Sequence, residues 1–148
     1  IRNISLKIFG VAMKIKYYYF EQKSSFGHDS FVSNGFELLM SEDQKEAVGI
    51  YMSCLHTLTQ DVDRCKEILS SIELVVSGAK TIEAIGLNDS YLTVHKNYIQ
   101  LDIDIDDSLI DQPEGRFTHD QIRKAVEGKI KFLNMEKKVG VELIVDIG

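Results

Sequence analysis

The chain has 148 residues, with 17 Lys plus Arg against 23 Asp plus Glu, a formal net charge of −6, 44% hydrophobic residues, one proline and no tryptophan. That is the make-up of a single acidic folded domain, and a chain of this size buries about two thirds of its unfolded surface without a disulfide or metal staple. Disorder is excluded by the apolar content, a membrane helix by the lack of any stretch of about 18 uncharged apolar residues, and a phosphate-backbone binder by the negative balance.

Residues 1–12 begin without methionine, include Arg2 and Lys7, and lead to no small-residue cleavage site, so they do not read as a signal peptide. They are expected to be an upstream or expression-derived extension, although the alternation of Ile4, Leu6 and Ile8 also fits an extra strand. The domain proper is then residues 13–148. Lys14 to Phe20 predicts a first strand, with two of Tyr17, Tyr18, Tyr19 and Phe20 facing inward and two outward. After the polar stretch Glu21 to Ser30, Phe31 to Leu39 predicts a second strand, divided by Asn34-Gly35, a dipeptide that favours a tight turn or bulge.

Ser41-Glu42-Asp43-Gln44 fits a capping box, and Ala47, Ile50, Tyr51, Cys54, Leu55 and Leu58 then form one apolar helical face. A second helical piece starts at Asp61 and turns Val62, Cys65, Ile68 and Leu69 inward. On a continuous helix Cys54 and Cys65 would be separated by about 16 Å, beyond the roughly 7 Å that a disulfide spans, and a break between them reopens that question. Two thiols buried as small hydrophobes in a reducing compartment are the expectation, which places the protein in the cytoplasm.

From Leu74 the pattern turns irregular, with Ser77-Gly78 as a breaker. Tyr91 to His95 and Tyr98 to Ile105 alternate in period two around Lys96-Asn97 and predict a hairpin; Leu109 to Phe117 holds the only proline and predicts a loop. Thr118-His119-Asp120-Gln121 is a second capping box, opening a helix that buries Ile122, Ala125, Val126, Ile130 and Leu133 and runs to Lys137 and Lys138. Val141 to Ile147 predicts a last strand. With no βαβ alternation, the order of elements predicts an α+β fold, a mainly antiparallel sheet packed against two or three helices.

The acidity is local. Residues 81–120 hold nine acids and two bases, a charge of −7, which leaves +1 for the rest of the chain. Within them Leu101-Asp102-Ile103-Asp104-Ile105-Asp106 alternates aliphatic and carboxylate, so an extended strand would line three carboxylates along one face. Such a row repels itself. It serves either solubility and edge protection or the docking of a basic partner steered by the field. Calcium fits poorly: counted from Asp102, the sixth position of an EF-hand loop is Asp107 instead of Gly and the twelfth is Pro113 instead of Glu.

Catalytic motifs are absent: there is no G-x-S-x-G, P-loop, C-x-x-C or H-E-x-x-H. His28 beside Asp29, His95, and His119 beside Asp120 are the candidates for acid–base work, but adjacent residues do not face each other in regular structure. The helix from Gln121 to Lys138 carries Arg123, Lys124, Lys129, Lys131, Lys137 and Lys138 against Glu127 and Glu136, which reads as a solvated polar face.

The succession of a capped middle helix, the hairpin Tyr91 to Ile105, an acidic loop and the helix Ile122-Arg123-Lys124-Ala125-Val126-Glu127-Gly128-Lys129-Ile130-Lys131-Phe132-Leu133 resembles small acidic immunity proteins of bacterial contact-dependent growth inhibition and related polymorphic toxin systems. The resemblance covers residues 80–134 and rests on layout. It implies a protein without enzymatic activity or cofactor, which binds the C-terminal toxin domain of a cognate effector, often a basic nuclease, and blocks its active site. Asp102, Asp104, Asp106, Asp107, Asp111 and Glu114 would be the contact surface, standing in for phosphates. The alternative is a small enzyme or ligand-binding domain that uses histidine and carboxylate groups.

Overall fold

The computed structural model describes residues 13–27 and 29–148. In chain order the elements are β1 (Lys14–Lys23), β2 (Ser30–Leu39), α1 (Glu42–Leu58), α2 (Val62–Val76), β3 (Glu83–Leu87), β4 (Ser90–Val94), β5 (Ile99–Ile103), β6 (Arg116–Phe117), α3 (His119–Leu133) and β7 (Glu142–Asp146). Two short 3-10 turns, Asp107–Leu109 and Pro113–Gly115, lie between β5 and β6. The fold is α+β, as the order of elements predicts, but the strands form two antiparallel sheets, ordered β2-β1-β7 and β3-β4-β5-β6. The extension proposed for residues 1–12 lies outside the described residues.

In the first sheet β1 is central, with Lys14 opposite Leu39 of β2 on one side and Asp146 of β7 on the other. Alternation decides its faces. Tyr17 and Tyr19 are buried, whereas Tyr18 and Phe20 lie on the outer face. Phe132 of α3 stacks on both inner tyrosines, with ring centroids 5.8 Å from Tyr17 and 4.4 Å from Tyr19. The Tyr17 hydroxyl donates to the Ala125 carbonyl at 2.9 Å, so its buried oxygen is satisfied. Asn34-Gly35 makes no turn: β2 is continuous, with Asn34 opposite Tyr19 and Gly35 opposite Tyr18. Pairing with ten residues of β1 outweighs the local turn preference, and the Tyr18 and Phe20 rings occupy the space a Cβ on residue 35 would need.

The helices join the two inner faces: α3 packs on β1 and β7, α1 on β2, β4 and β5, and α2 on α3 and β3. The buried side of α1 is Val48, Tyr51, Met52, Cys54, Leu55 and Leu58. Ala47 and Ile50, expected inside, are exposed. Ser41 is the N-cap residue, but its hydroxyl donates to the Gln44 side chain at 2.7 Å instead of accepting from the helix. The chain breaks between Leu58 and Val62, where the Asp61 carboxylate accepts from the Arg64 amide at 2.8 Å. Cys54 and Cys65 are both buried and free. The capping box of α3 is complete, with Thr118 accepting from the Gln121 amide and Gln121 accepting in return from the Thr118 amide. The helix ends at Leu133, capped at Asn134, before Lys137 and Lys138 are reached.

Candidate functional site

The acidic segment begins on β5. Ile99, Leu101 and Ile103 face the core, and Gln100 and Asp102 the other side, where Tyr91 of β4 stands opposite Asp102. The predicted row of three strand carboxylates is not formed, because β5 stops at Ile103. Its partner β4 starts at Ser90, opposite Ile103, and the preceding residues Asn88 and Asp89 turn back into β3. The Asp104 amide closes the ladder on the Asp89 carbonyl at 2.8 Å. Beyond it the chain has no further residue of β4 to pair with among the described residues and folds into the two 3-10 turns.

The loop is fixed by polar contacts to the sheet and to α1. Buried Gln100 donates to the carbonyls of Leu101 and Gln112 and accepts from Arg116 Nε at 2.9 Å. Tyr51 of α1 donates its hydroxyl proton to the Leu109 carbonyl at 3.2 Å. Gly115 lets the loop lie against β5: a Cβ there would come 2.5 Å from the Leu101 carbonyl oxygen and 2.9 Å from the Tyr51 ring.

These contacts divide the six predicted carboxylates. Asp102, half-buried, accepts from the Asp111 amide at 2.7 Å, and Asp111 is paired with Arg116 at 2.9 Å. Asp106 accepts from the Ser108 amide at 2.9 Å, which holds its carboxyl below the ordinary value. Three of the six therefore build the loop. Asp104 and Asp107 are exposed and Glu114 is half-buried, and none of the three accepts a hydrogen bond or ion pair among the described residues. Asp104 and Asp102 border a depression of about 320 Å³ shared with Tyr91, Thr93 and Ile110. Tyr91 and Ile105 beside them are exposed apolar groups. The surface thus combines unneutralised carboxylates with an aromatic and an aliphatic side chain on a braced loop.

The described histidines do not meet carboxylates. His95 stacks on Tyr98 with centroids 4.7 Å apart, and His119 Nε2 lies 2.7 Å from the His95 carbonyl oxygen. His28 lies outside the described residues. His56 points inward to Lys129, with 3.2 Å between its Nδ1 and the lysine Nζ. Lys129, read from sequence as part of a solvated face, is fully buried on α3. Its ammonium donates to Asn34 Oδ1 at 2.8 Å and lies 5.0 Å from the Tyr17 ring centroid. Burial pushes Lys129 down to about 8, and burial with the adjacent ammonium pushes His56 down to about 4. No spacing signal marks this cluster, because its members come from β1, β2, α1 and α3.

Among the described residues, no three His, Cys, Asp or Glu side chains are grouped so as to hold a metal ion. No helix of the described residues is long and apolar enough to cross a membrane. Comparison of the chain with protein-family models, with curated proteins and with solved structures finds no match.

Proposed function

We propose that the protein is a non-enzymatic binding protein whose loop between β5 and β6 docks a basic partner, and that this partner is a toxin domain, a nuclease by the resemblance noted above, which the protein neutralises as its immunity factor. The observation that carries the reading is the concentration of carboxylates on a loop braced by Gln100, Arg116 and Tyr51. A loop held in advance loses little conformational entropy on binding, and unneutralised Asp104, Asp107 and Glu114 supply the field that steers a cationic surface. Tyr91 and Ile105 provide the apolar contact that charge alone lacks, since aromatic anchors contribute disproportionately at interfaces.

The test is to read the gene adjoining that of this chain and, where it encodes a basic toxin domain, to co-express the two; a neighbourhood without such a domain counts against the immunity reading. A stable complex and restored growth are expected. With Asp104→Asn and Asp107→Asn together, association should slow about tenfold or more at low salt and depend less on salt. Absence of both complex and rescue overturns the immunity reading. A complex whose kinetics the double substitution leaves unchanged at every salt concentration overturns the acidic loop as its docking site.

A further inference from the structure

At the other end of the β4–β5 hairpin the charge reverses. A cleft of about 480 Å³ lies where α2 ends, the hairpin turns and α3 begins, and it is lined by Lys80, Lys96 and His119 with Thr81 and Asn97. No carboxylate lines it, in a chain with 23 of them. Asp120, next to His119, is taken up by Lys124 at 3.0 Å and Arg123 at 3.6 Å on its own helix.

The backbone adds to the positive field. The carbonyls of Glu73, Leu74 and Val75 at the end of α2 are capped by the amides of Ser77, Lys80 and Gly78, which covers the negative end of that helix. At α3 only the third-position amide of Gln121 is taken by the Thr118 hydroxyl, leaving the first-turn amides of His119 and Asp120 without intrahelical acceptors. A carbonyl only accepts, so the contact to the His95 carbonyl places a proton on His119 Nε2 and leaves Nδ1 for another partner. The wall formed by Val75 and Val76 is apolar, and Val76 is half exposed.

We propose that this cleft binds a small organic phosphate as its monoanion, its charged oxygens accepting from Lys80 and Lys96, its remaining O–H donating to His119 Nδ1, and its apolar part resting on Val75 and Val76. Two cationic donors beside an acceptor nitrogen suit a phosphate monoester, which can keep one O–H while still negatively charged, better than a carboxylate, which has no proton left once it is charged. The volume falls in the usual range of small-molecule sites. Six residues of chain separate Asn97 from Asp104, and the strand β5 makes up five of them, so the cleft and the acidic loop are about 20 Å apart. The proposal therefore stands independently of the docking reading.

The experiment is a ¹H–¹⁵N NMR titration of the full chain with phenyl phosphate, inorganic phosphate, benzoate and phenol in parallel. Phenyl phosphate should give saturable shifts confined to residues 77–81, 96–97 and 119, with half-saturation at about 1 mM or below. Inorganic phosphate and benzoate should bind about tenfold more weakly, and phenol should show no saturation. Lys80→Gln with Lys96→Gln, both at exposed positions, should weaken binding of phenyl phosphate by about tenfold or more and leave the rest of the spectrum in place. The proposal is overturned by shifts spread over lysines elsewhere, by no saturation below about 10 mM, or by equal binding to the double variant. Benzoate binding as tightly as phenyl phosphate would overturn the phosphate assignment.

Discussion

Lys129 places an ammonium in the core with a carbonyl oxygen, an imidazole nitrogen and an aromatic face around it, and no carboxylate in contact. Keeping it protonated at neutral pH costs about 3 kcal/mol, the equivalent of its fall from 10.5 to about 8. A lysine whose value is lower in the folded than in the unfolded state makes stability rise between about pH 8 and 10.5, where only the unfolded chain holds the proton. Lys129→Met should therefore raise stability at pH 7 by about 1–2 kcal/mol, after the loss of partners for Asn34 and His56 is counted. It should also flatten the difference between variant and wild type above pH 8; urea titrations at pH 7 and 9.5 measure both. His56 acts on the acid side. Its folded value of about 4 lies below the ordinary 6.5, so its contribution is intact above pH 6.5 and lost as pH falls toward 4. His56→Gln should lose less melting temperature than wild type between pH 7 and 5, and an equal or greater loss would remove His56 as the source. Neither role was legible in the sequence, where Lys129 sits among five other bases and His56 near a helix end. The faces of Tyr17 to Phe20 were legible, because strand alternation is a local property.

Among the elements, two glycines in helix interiors separate propensity from packing. A Cβ on Gly49 of α1 meets nothing within 4 Å, so Gly49→Ala should stabilise by about 0.5–1 kcal/mol. On Gly128 of α3 a Cβ would lie 2.5 Å from Val145 Cγ2 of β7, so Gly128→Ala should destabilise by about 1–3 kcal/mol despite the same helical gain. Thermal unfolding of the pair checks the opposite signs. What the sequence revealed at this scale follows the range of the forces. The Thr118 box is closed by two bonds within four residues and was readable. On α1 the buried Tyr51, Cys54, Leu55 and Leu58 were readable, but Ala47 and Ile50 were assigned inward where Val48 and Met52 are buried, because both pairs satisfy helical spacing and only the sheets packed against α1 choose between them. β3 was missed: Gly86 interrupts its pattern, and its shape depends on Tyr91, whose ring lies over that glycine. The acidic run was visible as a cluster, but its extended form was not obtained, since the strand ends where β4 has already turned away.

For the molecule as a whole, charge is sorted along the β4–β5 hairpin, with lysines at its turn and carboxylates at its far end. The first sheet closes over a long stretch of chain, as Lys14 and Asp146 are paired neighbours. Removing residues 141–148 should uncover one edge of β1 and the surface of α3 under Leu143 and Val145. A fall in melting temperature and concentration-dependent self-association by size exclusion are expected; a monomer of unchanged stability would contradict the central place given to β1. The same pairing bears on the order of synthesis. At about 5–20 residues per second, the interval between completion of β1 and arrival of β7 is on the order of ten seconds. Throughout that interval the central strand of the first sheet can hold only one of its two neighbours, and its open edge is a growing chain's most exposed site for wrong pairing, or for a chaperone to cover.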